Sequence, residues 1–423
     1  MKGTPVKDGS ESSGVKKPAR IRRVLAWSGW IILGCALILA GTLAAVSVWP
    51  SLGAQGADLL RGVIGDEAVA RLEMEVYQVQ DTLQKWKYDL GRETPSAPWG
   101  NMPFPEHVST LTSTPLPSLS AAITSTLVFT QEVTPAATAT PVPVTWPPAP
   151  LTPLGSLSGE GTWSEYIQDA AGQTVAYRTY LQPDPDRPYT VVAVVAFDLR
   201  HTRLHFVLGS VEPYSPDGPK RTGEMPAVDK VPGLLLAMFN GGFKARHGEF
   251  GAMADGLVAL PAHDGLGTLV IYQGSGVRIG EWGTEITPTS DMLAWRQNGP
   301  LVIHHGIINP RIYSNLPQDW GYTVNDVSPT WRSGVGVSAD QKTLYYFCGP
   351  SLSMEALAKA MQAAGADAAI QLDINDYWVH FVAVRTDGKK LILDPLFPYM
   401  MYEKIDRYLW PYPRDFFYVT GLR

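Results

Sequence analysis

Residues 24–57 carry no charged side chain, and 24–49 are almost wholly apolar. A helix needs roughly 20 such residues to cross the hydrocarbon core of a bilayer, so this run is long enough to span one. Lys16, Lys17, Arg20, Arg22 and Arg23 precede it, and no basic residue follows before Arg61. The positive-inside bias then keeps residues 1–23 in the cytoplasm as a basic tail and exports the remainder. Ala44-Ala45-Val46-Ser47 offers a rival reading as a signal-peptide cleavage site. The apolar run exceeds an ordinary signal-peptide core, which favours the anchor. The expectation is a single-pass protein of the cell membrane with its globular part outside.

Residues 57–92 follow the span. Val69, Leu72, Val76, Val79, Leu83, Trp86 and Leu90 recur at alternating steps of three and four, with Glu73, Glu75, Asp81, Lys85 and Lys87 between them. That is the spacing of a coiled-coil seam, or of an amphipathic helix lying on a membrane or on the domain. A homodimer through this stalk is one expectation, and both readings stay open here. Residues 94–153 then become dense in Pro, Ser and Thr and nearly free of charge. Such a segment buries too little apolar surface to offset its chain entropy, so it reads as a disordered spacer.

Charge excludes one class of partner. The net charge is -6, with no clustered basic surface of the kind that nucleic-acid binding requires. The two cysteines are Cys35, inside the apolar run, and Cys348. The region beyond the linker therefore holds a single thiol, and Cys348 reads as a buried strand residue rather than a nucleophile.

Residues 155–423 read as the working domain. Short runs rich in Val, Tyr, Phe and Thr at 174–181, 190–197, 204–208, 234–239, 268–272, 344–347 and 378–385 predict strands separated by turn residues. One helix is clear: Ser353 as N-cap, Glu355 in the first turn, an apolar stripe of Leu357, Ala360, Met361 and Ala364, and Gly365 as the stop. Strands in excess over helices point to an α+β fold with a mixed, mainly antiparallel sheet core.

Four places in this domain can carry chemistry. Asn240-Gly241-Gly242 ends an apolar strand, where paired glycines let the backbone approach a ligand, and Lys244, Arg246 and His247 add positive charge just beyond. Asp255-Gly256 offers a carboxylate and serves equally as a turn. Arg332 enters an otherwise small and apolar strand, so it demands a partner, in the protein or on a ligand. Asp373, Asn375 and Asp376 follow a buried strand, a usual address for a site. His304-His305 lacks the spacing and the companion ligands of a zinc site, so no metal site is assigned. No cofactor is called for, and a divalent cation is left open.

Taken in order, these motifs resemble the phosphodiester glycosidase family. The resemblance runs through Asn240-Gly241-Gly242-Phe243, Asp255-Gly256, Gly299-Pro300-Leu301, Arg332 to Gly336 and Leu372-Asp373, over roughly residues 191–384. It implies hydrolysis of a sugar-1-phosphodiester at the bond between the anomeric carbon and the phosphate oxygen. Asp373 would be the catalytic carboxylate and Asp255 the second candidate. Arg332, with Lys244 or His247, would hold the phosphate, Asn240 and Asn375 would bind sugar hydroxyls, and Gly241 and Gly242 would let the backbone come close to the substrate. The alternative is a non-catalytic envelope module that binds glycan or phosphodiester polymer in the same cleft. One departure is plain: the family's Leu-Asp-Gly-Gly-Gly-Ser is replaced by Leu372-Asp373-Ile374-Asn375-Asp376-Tyr377, so the glycine loop is gone.

Overall fold

Strand-forming runs dominate the chain beyond residue 160, and they fold as sheets. The computed structural model describes residues 50–92, 95–100, 145–314, 319–320, 329–401 and 404–422. The apolar run 24–49 and residues 101–144 of the Pro/Ser/Thr-rich segment lie outside the described residues. Among the described residues no helix is long and apolar enough to cross a membrane. The chain divides into two compact units, residues 1–56 and 57–423. Of the first, only residues 50–56 are described, and they are helical.

Helices α1 (Pro50–Ile64) and α2 (Asp66–Asp89) come first. Strands β1 (Ser164–Gln168), β2 (Thr174–Leu181), β3 (Val192–Asp198), β4 (Thr202–Val207) and β5 (Leu235–Asn240) follow. Then come β6 (Ala252–Ala254), β7 (Leu257–Leu260), β8 (Gly267–Tyr272), β9 (Val277–Glu281), β10 (Met292–Gln297), β11 (Ile303–His304) and β12 (Ile307–Ile308). The last stretch holds β13 (Thr330–Val337), β14 (Thr343–Leu352), α3 (Met354–Ala363), β15 (Ala368–Ile374), β16 (Phe381–Asp387), β17 (Lys390–Pro395) and β18 (Phe416–Gly421).

These strands make three sheets, one of eight strands in the order β1-β2-β3-β14-β13-β15-β11-β12 and two of five, β7-β6-β10-β8-β9 and β17-β16-β5-β18-β4. Every ladder is antiparallel. The domain is thus mostly antiparallel sheet with few helices, an α+β arrangement. β3 and β15 are buried at every position, as expected of mainly apolar runs flanked by neighbours on both faces, and their polar members Asp198, Gln371 and Asp373 are buried with them. The main core lies where the sheets face one another. There Phe239 stacks with Phe381 and with Phe417, ring centroids 6.1 and 5.4 Å apart, a geometry worth about 0.5–1.5 kcal/mol per pair beyond burial. Cys348 is fully buried in that core, and burial pushes its thiol pKa up, so it stays a neutral packing residue.

Helix α3 packs on the other face of the large sheet. Ser353 caps it by accepting the Ala356 amide at 3.1 Å, and Gly365 leaves it at φ 83°. Packed residues also extend beyond 155–423. Trp99 is buried, with the Arg178 guanidinium 4.2 Å from its ring centroid, and Trp146 packs edge-on against Tyr177.

Helix α2 lies on the domain. Ala70, Glu73, Met74 and Tyr77 line the cavity it closes, and Asp81 binds Arg187 and Tyr189. Most of the heptad stripe is turned away: Leu72, Val79, Leu83, Trp86 and Leu90 are all about half exposed, whereas Val69 at its start is buried. The helix therefore has two usable faces, only one of them occupied among the described residues.

Candidate active site

The cleft forms where all three sheets meet: β15 from the large sheet, β10 from one small sheet, and β5 and β18 from the other. β5 and β18 are antiparallel neighbours, with Asn240 opposite Phe416. The end of one therefore lies beside the start of the other, which brings Gly241 and Gly242 next to Arg414 and Asp415. The Asp373 amide donates to the Gly241 carbonyl at 3.0 Å, tying in the end of β15.

A buried ion pair locks this junction. Arg296 and Asp415 are both inaccessible, with Arg296 Nε donating to Asp415 Oδ2 at 2.8 Å. The remaining Arg296 donors reach the carbonyls of Phe250, Gln297 and Phe243 at 2.6–3.0 Å. Asp415 Oδ2 also accepts the Gly242 amide at 3.1 Å. The glycines are needed for close approach. A Cβ on Gly241 would run into the Asp415 carboxylate, and one on Gly242 would stand 2.7 Å from Asn298 Oδ1 and 2.8 Å from Arg296 Nη2.

On this floor sits Asp373. Its Oδ1 accepts the Ile374 amide at 2.9 Å, and its Oδ2 pairs with Arg414 Nη2. Burial pushes its pKa up to about 6, against the opposing pull of Arg414 and the Ile374 amide. Arg414 donates through the same Nη2 to the Gly242 carbonyl at 2.8 Å, and its guanidinium lies 4.4 Å from the Trp378 ring centroid. Its Nε and Nη1 are buried and make no hydrogen bond among the described residues. Lys244 approaches the same ring at 4.9 Å, and burial lowers its pKa, with Asp58 pulling the other way. His247 lines the cleft as a neutral imidazole, held down to about 3 by burial and by the surrounding cations Arg246, Arg61, Arg414 and Lys244.

Helices α1 and α2 close the cleft from above. Asp58 Oδ2 accepts Lys244 Nζ at 2.6 Å, and its Oδ1 pairs with Arg246. Tyr77 donates to Asn375 Oδ1 at 2.6 Å, and Arg61 bridges to Glu73 across the corner between the helices. The enclosed cavity is about 30 Å³. That is space for water, whereas sites for small organic ligands run to roughly 300–1,000 Å³. With the helices in place, no sugar fits.

Of the residues expected in the site, Asp373, Lys244, His247 and Asn375 line this cleft, and Gly241 and Gly242 form its floor. Asn375 holds φ 75°, a left-handed conformation that asparagine tolerates better than most residues. Three expectations fall elsewhere. Asn240 spends its side chain behind the floor, donating to Ser333 Oγ and accepting from Tyr346 and the His380 amide, so it fixes the strand end. Arg332 is fully buried and donates to the carbonyls of Leu352 and Trp320, at 2.9 and 3.2 Å. It needs partners, as expected, but main-chain oxygens supply them. Asp255 lies exposed in the β6–β7 turn at φ 51° and lines a separate groove with Arg203, Tyr272 and Tyr418.

Sequence reasoning missed Arg414, Asp415 and Arg296. A signal existed for two of them: Arg414-Asp415 abuts the fully buried strand Phe416–Gly421, the same mark that singled out Asp373.

No family model matches the chain, and neither does any curated protein. Among solved structures it is similar to the zebrafish N-acetylglucosamine-1-phosphodiester alpha-N-acetylglucosaminidase catalytic domain, auto-inhibited by pro-peptide. That match has 13% identity and a TM-score of 0.40, covering 62% of this chain and 89% of the other. It is also similar to a hypothetical protein from Synechocystis, at 9% identity and TM-score 0.32, covering 62% of each chain. At that distance neither likeness speaks to chemistry, which the cleft's own residues must carry.

Proposed function

We propose that the cleft hydrolyses a sugar-1-phosphodiester, on a domain held outside the cell membrane by residues 24–49. The observation that carries this is Arg414: a buried guanidinium, joined to Asp373, the floor carboxylate that lines the cleft, with two donors directed at no protein acceptor among the described residues. A buried cation with unused donors calls for an anion of the ligand, and a planar fork suits phosphate. Asp58 already plays an anion's part on the neighbouring cations Lys244 and Arg246. The sequence motifs that resemble the phosphodiester glycosidase family support the same reading.

Water attacks the anomeric carbon, the bond to the phosphate oxygen breaks, and the products are free sugar and a phosphate monoester. A phosphate monoester leaves without a strong general acid, so one carboxylate suffices where ordinary glycoside hydrolysis uses two. Asp373 is largely ionised at pH 7 given its value of about 6, which suits a base or nucleophile. Arg414 and Lys244 take the phosphate, Trp378 supplies an apolar platform, and Asn375 contacts the sugar. Entry of substrate requires helices α1 and α2 to leave the cleft.

The single carboxylate also favours a second reading, a module that binds an anionic envelope glycan without cutting it. Incubation of the chain with a chromogenic sugar-1-phosphodiester separates the two. Release of free sugar, abolished in Asp373→Asn, supports hydrolysis. Retention of glycan without release, from a variant whose cover is loosened by Asp58→Asn and Tyr77→Phe, supports binding alone.

A further inference from the structure

Away from the cleft, two sheets meet at a cluster of nitrogen and oxygen donors. Strands β11 and β12 are joined by the two-residue turn His305-Gly306, with φ 50° and 73°. Positive φ at both positions marks the mirror-image hairpin turn that normally takes Asn-Gly. A histidine there is uncommon and mildly strained. The turn sends both imidazoles to one side, and the rings of His304 and His305 stack with centroids 4.3 Å apart. Glu285, in the turn after β9 of a different sheet, meets them. Its Oε2 lies 3.3 Å from His304 Nε2, and its Oε1 lies 3.4 Å from His305 Nε2.

The geometry points to a divalent transition-metal site, of the zinc class, held by His304, His305 and Glu285. Bonds of ~2.0–2.1 Å at tetrahedral angles place neighbouring donors about 3.3–3.4 Å apart, which matches both measured separations. All the donor atoms lie within 4.8 Å of one another, the only such group among the described residues. His304 Nε2 is buried and makes no hydrogen bond among the described residues, although a carboxylate oxygen stands beside it. A nitrogen and a carboxylate oxygen this close without an aligned hydrogen bond suit two ligands of one ion. The carboxylate is fixed in place, since its Oε2 also accepts the Glu281 amide at 2.8 Å. Three protein donors leave a fourth position for water, and the exposed side of His305 opens toward solvent. Imidazole with one carboxylate selects zinc, nickel, cobalt or copper over calcium or magnesium.

Such an ion would join the small sheet carrying β9 to the edge of the large one, so its effect is read in binding and stability rather than turnover. Untagged full chain in detergent, stripped with a chelator, is titrated with Zn²⁺ by calorimetry and with Co²⁺ by visible absorption. One equivalent per chain, a tetrahedral cobalt spectrum and a rise in melting temperature with Zn²⁺ are expected. His305→Asn suits the turn and preserves the fold, and Glu285→Gln keeps the shape. Each should weaken Zn²⁺ by more than the roughly 10–100-fold that loss of an outer-shell partner costs, and erase the cobalt bands. Absence of stoichiometric binding to the wild type overturns the site, as does unchanged affinity in both variants.

Discussion

Asp373 and Tyr77 belong to the same cleft, but the structures that hold them differ in kind. The floor beneath Asp373 is a buried network. Arg296 and Asp415 are inaccessible to solvent, and their bonds join strands that are more than a hundred residues apart in the chain. The cover that carries Tyr77 buries Val69 and Ala70 and otherwise touches the domain through separate polar contacts: Asp58 with Lys244 and Arg246, Tyr77 with Asn375, and Asp81 with Arg187 and Tyr189. Asp58 and Arg246 remain about a third exposed. A buried pair cannot lose one member without stranding the other's charge, whereas part-exposed contacts exchange for water at roughly 1 kcal/mol or less each. Rigidity and release are thus divided between floor and cover.

The most severe test of this division is Arg296→Met. It strands the Asp415 carboxylate and should cost about 3–5 kcal/mol in urea denaturation; a loss under ~1 kcal/mol would mean the floor is no lock. Asp373→Asn retains the shape of the floor and should lower turnover of a sugar-1-phosphodiester by about 10²–10⁴-fold. Wild-type activity should fall as pH drops through about 6, because the carboxylate is then protonated. Arg414 holds that value down, so Arg414→Gln should move the acid limb to higher pH. On the cover, Asp58→Asn with Tyr77→Phe removes contacts without touching the floor. Hydrogen exchange over residues 66–89 should accelerate while β5 and β15 stay protected, and apparent substrate affinity should rise roughly tenfold as the competent state gains population. Leu83→Asp, on the outward stripe, should leave stability within about 0.5 kcal/mol.

Local signals in the sequence located the strand 174–181, the capped helix α3, the glycine pair after β5 and the carboxylate at the end of β15. Each of these depends on a few adjacent residues. Arg414 and Arg296 were missed because their importance comes from the antiparallel pairing of β18 with β5 and from the approach of β10, which no local pattern encodes. Arg332 illustrates the converse. Its need for a partner was legible, but whether carbonyls or a ligand would meet it depended on which face of β13 it occupied. In residues 69–90 the heptad spacing is real. Yet Tyr77 and Asp81 face the domain while Leu83 and Trp86 face solvent, since a polar stripe can be buried when matching donors and acceptors await it.

Helix α2 joins two surfaces through one rigid rod: a mixed side resting on the cleft, and an apolar side that no other described residue covers. Anything that grips the bare side only while the rod is docked will oppose substrate, and anything that grips it only when lifted will favour substrate. Thermodynamic linkage makes the influence mutual and equal in size, so substrate would in turn alter how firmly that outer companion is held.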